Sequence, residues 1–347
     1  MYVSLKDVAA RAGVSFQTAS KVLNGNTAAA SAATAERVLR VAAELGYVPN
    51  ALARGLVRRS SVTIGVLVDD LADAALVRFV DGAQAALAAQ GHAVLLTAVT
   101  PGEPAADALR KLLEHRVDGV LVVAPGIERD EGVARVLRPG LPLVGLNRMP
   151  GADAVLLGSD HRETGRLAAE HLLELGHREI ATVVGPRGRH VVRRRLEGFG
   201  TALAAAGVAL PEHRIVESGW SAATAYAAAA ALLDRAGEPI TAVFAQNDEM
   251  ASGVLRLLAD RGVRVPEEVS VVGCDDLPAS RFLVPALTTI AVPFTETGER
   301  AAAVLLDLIA GKPAPRRELL PVRLVVRAST GPPPASDLPT IDPREQP

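Results

Sequence analysis

From Val62 to Cys274 the chain alternates short β-branched, aliphatic runs with longer stretches of helical spacing, and it does so twice in succession. Val62–Val68, Ala93–Thr97, Gly119–Val123 and Leu143–Leu146 read as strands. Helices fit near Leu76–Gln90 and Ala105–Arg116, and a third fits before Leu143. Val155–Gly158, Ile180–Val184, Ala242–Ala245 and Val269–Cys274 resume the series. Between them lie helices at Arg162–Leu175, near Val191–Ala206 and Ala222–Ala236, and at Glu249–Arg261. Strands that alternate with covering helices form βαβ units and parallel sheets. Two such series in tandem predict two similar α/β lobes. A last helix near Glu296–Ile309 and strands near Leu319–Val326 are placed to cross back between them.

The segment before this alternation has a different pattern. Leu5, Val8, Ala9 and Ala12 give one short helix its apolar face, and a Gly13-Val14 corner follows. Ser15 is placed to cap a second helix with Ala19, Val22 and Leu23 facing inward, and Asn24-Gly25 stops it. This is a helix-turn-helix, whose second helix normally enters the major groove of DNA. Its polar face carries Gln17, Thr18, Ser20 and Lys21, side chains suited to base edges or phosphates. The competing reading of such a corner alone is an ordinary helical hairpin. A third helix fits Ser31 to Leu45, with Val38, Val41, Ala42 and Leu45 at helical spacing and Gly46 at its end.

Charge separates the two parts. The whole chain of 347 residues carries a formal charge of −2, but residues 1–60 carry +5 and the remainder −7. A basic head on an acidic body suits DNA, because neutralising phosphates supplies much of the affinity. The plainer reading is a solvated helical face. Hydrophobic residues make up 49% and aromatics 3%, so the core is expected to be large and aliphatic. The sequence has no apolar run long enough for a membrane span and no evident secretory signal, which predicts a cytoplasmic protein without a membrane partner. The single Cys274 excludes an internal disulfide. The seven histidines show no metal-ligand spacing, and no P-loop, G-x-S-x-G or G-x-G-x-x-G run is present, so neither catalysis nor a cofactor is expected.

The run LKDVAARAGVSFQTASKVLNG, the run ELGYVPNALARGL and several later blocks resemble the LacI/GalR family of bacterial transcription regulators, over about residues 4–330. The resemblance implies a helix-turn-helix head at 1–48, a hinge helix and linker at 49–61, and a periplasmic-binding-protein-like core with a ligand cleft. The expected lobes are 62–160 with 293–321, and 161–292 with 322–330. Residues 331–347 hold six prolines and read as a disordered tail without a tetramerising leucine heptad, so a homodimer on a palindromic operator is expected.

The resemblance also implies site residues. Phe16, Gln17 and Lys21 match positions that approach base edges, and Leu56 matches a wedge into the minor groove. Leu56 packing on its dimer mate is the other reading. The full expected set for double-stranded DNA is Leu5, Ser15, Phe16, Gln17, Thr18, Ser20, Lys21 and Asn24, with Asn50, Ala53 and Leu56 from the hinge. The sequence departs from the family at Lys21, at Thr27-Ala28-Ala29-Ala30 and at Ala35. For a small-molecule effector the expected residues are Arg195, Asn247 and Asp275, with Trp220, Asn147, Phe79 and Phe294. Arg195, Asn247 and Asp275 combine donors and acceptors suited to a polyol, and Trp220 could cover a sugar ring. A purine, stacked on the same indole, is the alternative ligand. Other readings make Asp248 and Asp276 helix or turn caps, Trp220 lobe core, and Arg195–Asp275 an ion pair closing the lobes. The function implied is a ligand-responsive regulator, a repressor of sugar uptake or catabolism genes. A transport-type binding protein and a sugar- or nucleoside-processing enzyme are the alternatives.

Overall fold

The computed structural model describes residues 3–26, 28, 30–48, 61–100, 102–137, 140–150, 154–235 and 239–334. They form two compact units, 1–61 and 62–347.

Among the described residues the first unit holds three helices. α1 (Leu5–Ala12) opens on a capping box, with Ser4 and Asp7 satisfying each other's backbone donors. It ends at Gly13, whose φ of 64° is the left-handed turn that a side chain would resist. α2 (Phe16–Leu23) starts on Ser15, whose hydroxyl accepts from Thr18 N at 3.1 Å. α3 (Ala32–Glu44) starts on Ser31 in the same way. Val8, Ala12, Ala19, Val22 and Val38 close a small core between them, and Arg37 Nε donates to the Ala12 carbonyl at 3.0 Å.

The second unit contains two six-stranded sheets. The first has the order β11-β5-β4-β3-β1-β2, with β1 (Thr63–Val68), β2 (Ala93–Ala98), β3 (Gly119–Val123), β4 (Leu143–Leu146), β5 (Val155–Ser159) and β11 (Arg317–Leu320) all parallel. The second has the order β12-β10-β9-β8-β6-β7, built from β6 (Ile180–Val184), β7 (Ile215–Glu217), β8 (Ala242–Ala245), β9 (Ser270–Cys274), β10 (Thr288–Ala291) and β12 (Arg323–Val325). β12 runs antiparallel to β10, so this lobe is not wholly parallel. β7 and β10 do not register as strands in the sequence: Ile215–Glu217 is only three residues long, and Thr288–Ala291 opens on two polar threonines and lacks the apolar run that marks β4 and β8.

The helices are α4 (Ala74–Ala89), α5 (Ala105–Glu114), α6 (Glu131–Val136), α7 (His161–Glu174), α8 (His190–Ala205), α9 (Ala222–Arg235), α10 (Asp248–Asp260) and α11 (Phe294–Ile309). α11 packs on α4 and so belongs with the first sheet, while α7 and α8 pack together in the second lobe. The chain therefore passes between lobes after β5, after β10 and after β11. The disordered tail is expected to start at residue 331, but the chain is still anchored there. Gly331 is held by the second lobe, donating to Ser270 Oγ at 3.0 Å, while its carbonyl lies 2.9 Å from His177 Nε2. Residues 335–347 lie outside the described residues.

Glycines set the distance between α7 and α8. A Cβ on Gly165 would strike the Arg195 carbonyl, and one on Gly198 the Arg162 carbonyl. Backbone cannot yield as a side-chain tip can, so Gly165→Ala is expected to destabilise the chain by about 1–3 kcal/mol. Gly200, also in α8, has open space where a Cβ would stand. Gly200→Ala is therefore expected to gain up to about 1 kcal/mol from helix propensity. Urea unfolding of both variants checks the pair. Equal effects would mean that close approach does not govern this crossing.

Candidate functional site

The two lobes face each other across a cleft of about 830 Å³, counting the part open to solvent. It lies past the C-terminal ends of the strands, where open α/β sheets leave room for ligands. The structure brings Asn147, Arg195, Trp220, Asn247, Asp275 and Phe294 together in its lining. Phe79 does not join them. It is 1% exposed and packs in the core beneath α4, because its helical position faces inward.

Arg195 projects from α8 and is buried. Its Nη2 donates to Asp275 Oδ1 at 3.1 Å, and its Nη1 donates to the Gln246 carbonyl. Its Nε is buried without a protein partner. Burial works against the guanidinium charge, but Cys274 and Asp275 more than restore it. For Asp275, burial pushes the carboxyl up to about 7 while Arg195 holds it down. Asp275 stands at φ 108°, a strained conformation that the surrounding fold must hold in place. Both members of the pair come from the second lobe, so this ion pair does not close the lobes.

Other groups cross the cleft. Arg78 on α4 donates to the Asp276 carbonyl at 3.1 Å, and Glu128 Oε1 accepts from His190 N at 2.8 Å. The Arg189 guanidinium reaches from the second lobe to Gly126, beside the Asp69 carboxylate, in the first. Burial raises both Asp69 and Asp73, with backbone donors and arginine charges opposing it. Asp69, Asp73, Glu128, His161, Arg189 and His190 line the cleft and did not stand out in the sequence. The available signal was position, since Asp69 and His161 each follow a strand.

Asn247, and not Asp248, is the helix cap. Asn247 Oδ1 caps α10 by accepting from Met250 N at 2.7 Å, and its Nδ2 donates to the Trp220 carbonyl at 3.1 Å. It therefore positions the tryptophan with both ends of its amide engaged. Asp248 is not the cap. It is buried and accepts from Leu277 N at 2.7 Å, from Ser280 Oγ at 2.6 Å and from Thr289 Oγ1. Burial pushes it up to about 6. Asp276 pairs with Arg327 instead of capping a turn. Trp220 is half-buried, packs on the second lobe's core and also lines the cleft, with its ring against Gly185 where a Cβ would collide. Asn147 sits at φ 58°, and its Oδ1 accepts from Ser159 N at 3.3 Å.

In the first unit, Phe16 is 51% exposed, and Gln17 and Lys21 are exposed one turn apart on α2. Ser15 and Thr18 bond to each other at 2.9 Å, and Asn24 Nδ2 donates to Ser20 Oγ at 3.4 Å. Leu5 is half-buried against the small core. Asn50, Ala53 and Leu56 lie outside the described residues.

Comparison with known proteins agrees with this two-part construction. The profile for bacterial regulatory proteins of the lacI family matches residues 4–50, and that for a periplasmic binding protein-like domain matches 169–330. The HTH-type transcriptional repressor PurR of Vibrio atlanticus (strain LGP32) is 34% identical over 319 residues, covering 90% of this chain and 94% of that protein. The crystal structure of the Lac repressor dimer bound to operator and the anti-inducer ONPF superposes with a TM-score of 0.87 at 33% identity, covering 95% of this chain and all of that one. A complex of the transcriptional regulator CelR with cellobiose gives a TM-score of 0.71 at 34% identity, covering 94% and 99%. With a helix-turn-helix head, a two-lobed periplasmic-binding-protein-like core and relatives matched along nearly their whole length, this chain belongs to the LacI family of bacterial regulatory proteins.

Proposed function

We propose that the protein is a cytoplasmic, ligand-responsive repressor that binds a palindromic operator as a homodimer and takes a sugar or sugar derivative in its cleft. The observation that carries the ligand reading is the buried Arg195–Asp275 pair, whose Arg195 Nε has no protein partner. A polyol needs charge-assisted donors and acceptors side by side, and an Arg–carboxylate pair supplies both. Trp220 adds an apolar face for ring C–H groups. The cellobiose found in the CelR complex shows that a relative's ligand is of this class. The dimer bound to operator in the Lac repressor structure supports the assembly, and exposed Phe282 and Val284 give this chain an apolar patch of its own. The cleft is read as a binding site and not a catalytic one, because the relatives matched along nearly their whole length are transcription regulators.

Ligand binding is expected to shift the balance of lobe arrangements, and DNA affinity with it. Arg78 and Glu128, which bond across the cleft, are the contacts such a shift would remake.

Two outcomes are expected. Arg195→Ala should lose ligand response while operator binding persists, since stranding one buried charged partner costs about 2–5 kcal/mol. Trp220 fluorescence and operator release, screened with mono- and disaccharides beside purines, check it. A purine that saturates the site while every sugar is silent would overturn the sugar reading. On the DNA side, Gln17→Ala should relax discrimination at one position in each half-site by about 1–3 kcal/mol. Titration against an operator library reads this directly, and equal loss at every sequence would show that Gln17 only positions the head.

A further inference from the structure

A second cavity adjoins the cleft beside the passages after β5 and β11, with about 410 Å³ of space counting the part open to solvent. Ser159, His161, His190, Arg194 and Arg317 line it, and Asn147, His161 and His190 also line the main cleft. His161, at the first position of α7, is 5% exposed, and both its ring nitrogens lack a protein partner. The Ser159 hydroxyl, 4% exposed, also lacks one. Leaving buried polar groups unbonded is costly, so this cluster is set up to receive a group from outside the chain.

The surrounding charges indicate which group. Arg317 reaches in from β11, and Arg194 from α8 while paired with Glu197 on its other side. The acidic group of the lining, Asp160, is committed to the start of α7, accepting from Arg162 N at 3.0 Å and Glu163 N at 3.3 Å. Glu128, near His190, is likewise engaged with the His190 backbone. What remains, beside Asp160 Oδ2, is a set of donors and cations: His161, the Ser159 hydroxyl, Arg194 and Arg317. We propose that this cavity is an oxyanion subsite of the effector cleft, so that the effector is a sugar bearing a phosphate or carboxylate group. The proposal rests on the sugar reading of the cleft.

A pH effect follows. Burial, and then the charges of Arg195, His190, Arg317 and Arg194, hold His161 well below the ordinary histidine value, so it is neutral. A bound oxyanion reverses the sign of that field and raises His161. Binding is then expected to take up a proton, and affinity to rise as pH falls.

The test uses the full chain and sulfate, which does not itself titrate near neutrality, as a competitor. Hexoses, their 6-phosphates and their uronates are compared by Trp220 fluorescence and by calorimetry in buffers of different ionisation enthalpy. The anionic sugar is expected to bind about tenfold or more tighter than its neutral parent, with proton uptake and with sulfate competing. Arg317→Gln should erase that preference, and the 6-phosphate and uronate arms tell the two anions apart. Neutral and anionic sugars binding equally, with sulfate without effect, would overturn the subsite and leave the sugar reading intact. Sulfate that shifts the His161 ring resonances while no sugar binds would keep the subsite and overturn the sugar reading.

Discussion

A guanidinium out of water must be given partners or it will not stay buried, and the second lobe is arranged around that demand at Arg195. Asp275 supplies the charge and the Gln246 carbonyl a further acceptor, each from a loop just past a strand. The strained backbone at Asp275 is held by its amide, which donates to the Ile290 carbonyl at 2.8 Å. Gly165 lets α7 press against the Arg195 backbone. Two arms of the fork are thereby fixed and the third, Nε, has no protein partner.

Because the pair belongs to one lobe, it does not itself lock the cleft, and the ligand role proposed for it leaves the lobes free to move. The contacts that cross the cleft are separate from this pair: Arg78 to backbone carbonyls, Glu128 to one amide, and Arg189 beside the Asp69 carboxylate. Bonds of this sort can be remade at modest cost. That suits a cleft whose two arrangements must differ by no more than a ligand's differential affinity.

Much of this was legible in the sequence. The doubled alternation of strands and helices, the Gly13 corner and the serines at positions 15 and 31 all act locally, and local signals survive in one dimension. Arg195 and Asp275 stand in blocks that resemble the family, and Trp220 is conspicuous as the chain's only tryptophan. What stayed hidden depends on packing between distant segments. β7 is a strand only because β6 receives it at the sheet edge, and β10 because β9 and β12 flank it. Phe79 faces the core and not the cleft, a choice made by the α4–α11 contact. Asn247 and Asp248 are neighbours whose roles are decided by which of them meets Ser280 and Thr289 from the far side of the lobe. His161 gains its meaning only beside Arg317, more than 150 residues away in the chain.

The central claim is that occupancy of the cleft and affinity for operator are one linked equilibrium. The most direct measurement closes the thermodynamic cycle. The dissociation constant of the ligand that quenches or enhances Trp220 fluorescence is measured with and without saturating operator DNA, and that of operator with and without saturating ligand. The account predicts that both constants change by the same factor, typically about 5–150-fold. A ligand that binds the cleft equally well in the presence and absence of operator would contradict it.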